Sequence, residues 1–139
     1  MPSRRSVSLE WCREGLKFAA RGTEPETPSI QIDGDNDSAP GPMLLLLLAC
    51  ASCAASDVVL IMKKMKVDLK RLRVTVDGLR RDEEPRRYTE VTLHFALAGD
   101  GLDQKKADRS VALSVSKYCS ALASLAPDIA IAYSATVEE

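Results

Sequence analysis

Cys53, in the run ACASCAASDVVLIM, and Cys119, in SVSKYCSALA, are the side chains of this sequence best suited to chemistry. Each lies near the middle of a segment that reads as helix, among small and apolar residues. If the two sulfurs meet, a thiolate at Cys53 can attack a peroxide oxygen and become a sulfenic acid. The second thiol then condenses with it to a disulfide. That requires Cα atoms within about 4.4 to 6.8 Å of each other. Ala54 and Ala55 beside Cys53, and Ser120 and Ala121 beside Cys119, permit helices to approach that closely. The other reading is two inert buried thiols serving as small hydrophobes, and composition and spacing alone favour it. A mid-helix cysteine gets no help from a helix N-terminus, so activation needs a nearby cation. Arg13 and Arg21 are candidates by position only.

The remaining reactive residues point less far. Cys50 and Cys53 form C-x-x-C, but Pro42 starts the helix eight residues before Cys50, so the motif lies in helix interior without the dipole that acidifies such a thiol. Zinc is not expected, because there is one histidine and no second C-x-x-C. Cys12 reads as incidental. His94 falls on the strand face opposite Leu93 and Phe95 and reads as a solvated or interface residue. Asp57, one turn after Cys53, is placed where it could touch the same site, but reads as a buried carboxylate hydrogen-bonded to backbone or to a partner-chain donor. The sequence holds no Ser/His/Asp pattern, no P-loop and no G-x-G-x-x-G.

The elements that must place these residues follow from period and punctuation. Val7, Leu9 and Trp11 alternate, as do Leu16, Phe18 and Ala20 beyond Gly15, which predicts a hairpin. A short strand over 29–32 precedes DGDNDSAPGP, a loop of turn formers. Pro42 suits the first turn of a helix, which is predicted over 42–66 and closes on Lys63, Lys64 and Lys66. Alternation at Leu72, Val74, Val76 and at Val91, Leu93, Phe95, Leu97 predicts two strands joined by GLRRDEEPRR. A second helix is predicted over 103–126, from Asp103 as N-cap to Pro127. Its expected buried seam is Val111, Val115, Tyr118, Leu122 and Leu125, with Cys119 beside it. Ile129, Ile131 and Tyr133 give a last strand. The order βββ-α-ββ-α-β is an α+β fold.

At 139 residues the chain is expected to be a single domain. A net charge of −1 leaves no basic excess for a nucleic acid. The apolar stretch from Met43 to Met62 could be taken for a membrane span, but Ser52, Ser56 and Asp57 argue for a buried helix and no membrane partner. Without a signal segment, four cysteines imply a cytoplasmic chain with reduced thiols. The first helix would be about 37 Å long, against a radius of gyration of about 14 Å for a domain of this size. One small sheet cannot cover a helix apolar around most of its circumference, so a second copy is expected to.

Taken together, several blocks resemble the osmotically inducible protein C (OsmC) and organic hydroperoxide resistance (Ohr) family. They are GPM at 41–43 before a leucine-rich helix, CAASDVV at 53–59 with KKM following, EEPRRYTEVTLHF, and LSVSKYCS at 113–120. The blocks stand in the family's order, and the resemblance covers about Leu9 to Tyr133. The resemblance implies an intertwined homodimer with long central helices and sites at its interface. It implies that Cys53 attacks a small hydrophobic hydroperoxide and that Cys119 resolves the product. An external dithiol such as a lipoyl group would then restore the thiols, with no bound metal or flavin. Members usually carry a glutamate after the GPM-like turn and an activating arginine on a strand. Here Leu44 and Gln31 stand at those places, and each missing charge is worth a pKa unit or more, about 1.4 kcal/mol per unit. The sequence is therefore closer to the OsmC-like branch, and the resemblance also admits a non-catalytic protein that binds a hydrophobic ligand or senses redox state.

Overall fold

The computed structural model of the chain describes residues 2–23 and 27–139. Its contacts divide it into two units, 1–46 and 47–139. In the first, β1 (Val7–Trp11), β2 (Lys17–Gly22) and β3 (Ile30–Asp33) form an antiparallel sheet in that order. The predicted hairpin is there, with Trp11 opposite Phe18. Its turn places Arg13 and Gly15 at positive φ, and Trp11 Nε1 donates to the Gly15 carbonyl at 3.0 Å.

The acidic loop after β3 folds around one carboxylate. Asp33 Oδ1 accepts the Asp35 N–H at 2.9 Å, and Oδ2 accepts the Ser38 N–H at 2.9 Å and its hydroxyl at 3.0 Å. The Ser38 and Asp35 backbone bonds hold Asp33 down at about 2. Asn36 Oδ1 accepts the Gly41 N–H at 2.7 Å. This polar knot delivers the chain to Pro42, where α1 (Pro42–Lys64) begins.

Helix α1 ends two residues earlier than expected. Lys66 takes a left-handed φ of 60°. The Val67 N–H reaches back to the Met62 carbonyl at 3.0 Å, and the Lys66 N–H to Lys63 at 3.1 Å. This is the Schellman closure, usually built on glycine.

In the second unit β4 (Asp68–Arg80), β5 (Tyr88–Asp100) and β6 (Ala130–Val137) form a sheet with β5 central. β4 pairs antiparallel to β5, with Val74 opposite Phe95 and Val76 opposite Leu93. β6 runs parallel to β5, which requires a crossover, and α2 (Gln104–Leu113) supplies it. The last strand thus reaches further than the alternation over 129–133 indicated. Val91, Leu93, Phe95 and Leu97 are fully buried, together with Val58 and Met62 of α1 and Val111 of α2. Burial of each such side chain contributes about 1.5 to 3 kcal/mol. Close approach is enforced at Gly78, where a Cβ would lie 2.5 Å from Tyr88 Cε1.

The second helix is not the continuous rod expected over 103–126. Asp103 does cap α2, accepting from the Lys106 N–H at 2.8 Å. After Leu113 the chain winds into a π-helical segment, Ser114–Tyr118. It then breaks at Cys119 and resumes as the short α3, Ser120–Ala123. Buried positions run Ala107, Ser110, Val111, Ser114 at helical spacing, then jump five residues to Cys119 and on to Leu122. An α-helix would have turned Tyr118 inward. The widened turn puts Tyr118 outside, 51% exposed, and Cys119 inside.

Along α1 only Cys50, Ala54, Val58 and Met62 are buried, a stripe one residue wide at intervals of four. Leu44, Leu46, Leu48, Val59 and Leu60 are exposed. By length and composition this helix could also cross a bilayer.

Candidate functional site

The two expected cysteines meet. Cys53 sits half-buried at the edge of the α1 stripe, and Cys119 is buried at the break after the π segment. The Cys119 sulfur lies 3.9 Å from the Cys50 carbonyl oxygen and accepts the Leu122 N–H at 3.5 Å. The Cys53 side chain is close enough to act on it electrostatically. Burial, with Cys53 adding to it, pushes the Cys119 thiol up to about 11, against the opposing pull of the Leu122 amide. All four cysteines are free thiols. Cys50, fully buried, is also raised, by burial and by Cys53. It forms a third member of the cluster that the C-x-x-C argument set aside.

Why the chain builds this site is visible locally. Small residues line the meeting of the segments: Ala54 on α1, Ser110 and Ser114 on the other side, all fully buried. Ser114 Oγ donates to the Ala54 carbonyl at 2.9 Å and lies 3.2 Å from Asp57 Oδ2. Asp57 is half-buried rather than buried, and the donor it finds within its own chain is a side chain.

Beyond Asp57 a cavity of about 400 Å³ opens between α1 and the second helical segment, walled by Leu60, Ile61, Met65 and Leu113, with Lys64 and Arg109 among its lining residues. Sequence reasoning missed both Ser114 as a site residue and this cavity. The signal for Ser114 was a serine on an otherwise apolar periodic stripe.

Cys12 is exposed at the end of β1, and Arg13 and Arg21 belong to the first unit. His94 is exposed on the sheet. Its Nδ1 is 2.7 Å from Ser134 Oγ and its Nε2 3.2 Å from Thr136 Oγ1, in keeping with a solvated residue. Among the described residues no group of three or more His, Cys, Asp or Glu side chains, the three cysteines included, is arranged so that it could hold a metal ion.

An α+β chain with two three-stranded sheets and a cysteine at the middle of a long apolar helix defines a known class. The family model described as OsmC-like protein matches residues 34–134, and the chain belongs to that family. Protein YhfA of Escherichia coli strain K12 is 38% identical over 127 residues, covering 91% of this chain and 92% of that protein. A hypothetical protein from Aquifex aeolicus VF5 superposes with a TM-score of 0.83 at 28% identity, over 99% of this chain and 100% of that one. An organic hydroperoxide resistance protein OsmC from Legionella pneumophila, described as a predicted redox protein, shares the fold. Its TM-score is 0.67 at 15% identity, over 97% and 98% of the two chains.

Proposed function

We propose that this protein is a thiol-dependent peroxidase that reduces organic hydroperoxides, with Cys53 attacking and Cys119 resolving. The observation that carries the reading is the seating of the Cys119 sulfur against α1, 3.9 Å from the Cys50 carbonyl oxygen and within electrostatic reach of Cys53, although the segments are distant in sequence. The Cys53 thiolate takes the distal peroxide oxygen. The O–O bond breaks, the transferred OH makes Cys53 a sulfenic acid, and the alkoxide takes up the proton the Cys53 thiol released and leaves as the alcohol. The Cys119 sulfur then displaces hydroxide, which leaves as water with the Cys119 proton, and the S–S bond forms. An external dithiol of the lipoyl type returns both thiols by exchange. Environment supports the division of roles. Cys119 is buried and holds its proton tightly, whereas Cys53 is partly open to a substrate.

The functional unit of this reading is a cytoplasmic homodimer. Exposed leucines along α1, and a first sheet in which Val7, Leu9 and Trp11 are 80%, 58% and 53% exposed, support it. A second copy covers such surfaces with the same chemistry. Removal of two hydrogens from the intact chain by a modest excess of cumene hydroperoxide, abolished by Cys53→Ser, is the expected result. An unchanged mass with both thiols still open to alkylation overturns it.

A second reading has its own observation. The cavity of about 400 Å³ past Asp57 is mainly apolar, and Leu44 and Gln31 stand where an activating pair is expected. A non-catalytic protein that holds a hydrophobic ligand fits both. Thermal stabilisation by such a ligand without turnover of hydroperoxide, in the presence of a lipoyl dithiol, decides for it.

A further inference from the structure

Ser114 is hydrogen-bonded to the residue after Cys53 and to the Cys119 amide, and has no part in the chemistry above. It is fully buried and is the first residue of the π segment. Its hydroxyl donates to the Ala54 carbonyl at 2.9 Å, and Ala54 directly follows Cys53. Its own carbonyl accepts the Cys119 N–H at 2.8 Å, the five-residue bond of a π turn. Two hydrogen bonds on one residue therefore run from the backbone beside Cys53 to the backbone of Cys119.

A buried helical serine ordinarily satisfies itself within its own helix. Ser110 does so, donating to the Ala107 carbonyl at 2.9 Å. Ser114 instead donates out of its helix, and Asp57 Oδ2 at 3.2 Å gives its one proton a second acceptor on the same α1 turn. Both acceptors keep the hydroxyl aimed at α1.

We propose that Ser114 is a positioning residue for disulfide closure, fixing the widened turn that brings Cys119 to Cys53. The inference rests on the thiol-peroxidase reading and adds what controls its second step. Sulfenic acid formation needs only Cys53 and the hydroperoxide. Condensation needs both sulfurs aligned: the Cys53 S–O bond breaks, the S–S bond forms, and water departs with the Cys119 proton. Without the Ser114 hydroxyl the π segment loses its tie to α1 and relaxes toward an α-helical path, which turns Cys119 away.

The test uses the full chain and compares the parent with Ser114→Ala under two oxidants. Cumene hydroperoxide with dimedone reports sulfenic acid at Cys53. Diamide, which takes two hydrogens from a thiol pair and is reduced to its hydrazine, reports closure without any peroxide. The expected result is sulfenic acid formation at the parental rate, with closure slowed roughly 10- to 100-fold under either oxidant, the scale set by a misplacement of about 1 Å. The dimedone adduct then accumulates, and Ser114→Thr, which keeps the hydroxyl, closes faster than Ser114→Ala. Closure of Ser114→Ala at the parental rate overturns the proposal. If the parent ignores cumene hydroperoxide, the peroxidase reading falls, while closure under diamide still decides the role of Ser114. Should Ser114→Ala lose its cooperative melt, the near-isosteric pair Ser114→Thr and Ser114→Val decides instead: faster closure under diamide by the variant that keeps the hydroxyl supports the tie, and equal rates overturn it.

Discussion

The helical segments that carry Cys53 and Cys119 solve the same problem in opposite ways. Helix α1 is regular from Pro42 to Lys64 and presents a strict stripe at intervals of four, Cys50, Ala54, Val58 and Met62, with Cys53 at its edge. The second segment changes its winding between Leu113 and Cys119 and shifts its buried face by one residue. A regular helix lets periodicity choose which residues face inward. An irregular one lets a single position, here Cys119, be turned inward against the period. The contrast teaches that the reactive pair depends on a defect in one helix as much as on the order of the other.

Removing that defect is the severest way to break the comparison. Deletion of Ser116 leaves one residue fewer in the widened turn and rotates Cys119 by about 100° about the helix axis. Loss of all Cys53–Cys119 disulfide under diamide is expected, read by non-reducing peptide mapping. A deletion variant that still closes the bond would show the π segment to be dispensable.

Next comes the contrast between the two faces of α1. Met62→Ala, on the buried stripe, is expected to cost about 2 to 5 kcal/mol in urea unfolding. Leu60→Ala, 57% exposed, is expected to stay within about 0.5 kcal/mol for an isolated chain. A larger loss at Leu60 that scales with protein concentration would mark it as covered by a second copy.

Smaller effects follow from the titrating groups. With its thiol raised to about 11 by burial, Cys119 should alkylate slowly at neutral pH and accelerate only toward strongly alkaline conditions. Rapid alkylation of Cys119 at pH 7 would contradict the burial argument. Asp33, held at about 2 against an ordinary 3.8, has a lowered folded value. Its contribution is thus present above about pH 4 and is lost as pH falls through about 2. Asp33→Asn should flatten that acid limb of the melt curve, and an unchanged limb would remove Asp33 from the account.

Much of this was legible in the sequence because it is periodic. The strands of Val74 and Phe95, the start of α1 at Pro42 and the Asp103 cap all carry local signals that the fold respects. The two cysteines were singled out from the residues, where two inert thiols were the favoured reading, and their roles as an attacking and a resolving thiol came from the family resemblance. The π turn was not legible. Val111, Val115, Tyr118 and Leu122 keep α-helical spacing, and what overrides them is the hydroxyl of Ser114 reaching Ala54, a contact 60 residues away in the chain. Cys50 was set aside because C-x-x-C in helix interior lacks the dipole that acidifies a thiol, an argument about reactivity that says nothing of proximity. The extension of β6 to Val137 was missed although Ala135 and Val137 continue the alternation of Ile131 and Tyr133, with Ser134 and Thr136 between them.

Disulfide mapping after one equivalent of cumene hydroperoxide tests the pairing of the thiols most directly. A peptide pair joining Cys53 to Cys119, with Cys50 still free to be alkylated after unfolding, is the predicted result. A bond from Cys53 to Cys50, or four thiols all recovered as alkylated cysteine, would contradict it.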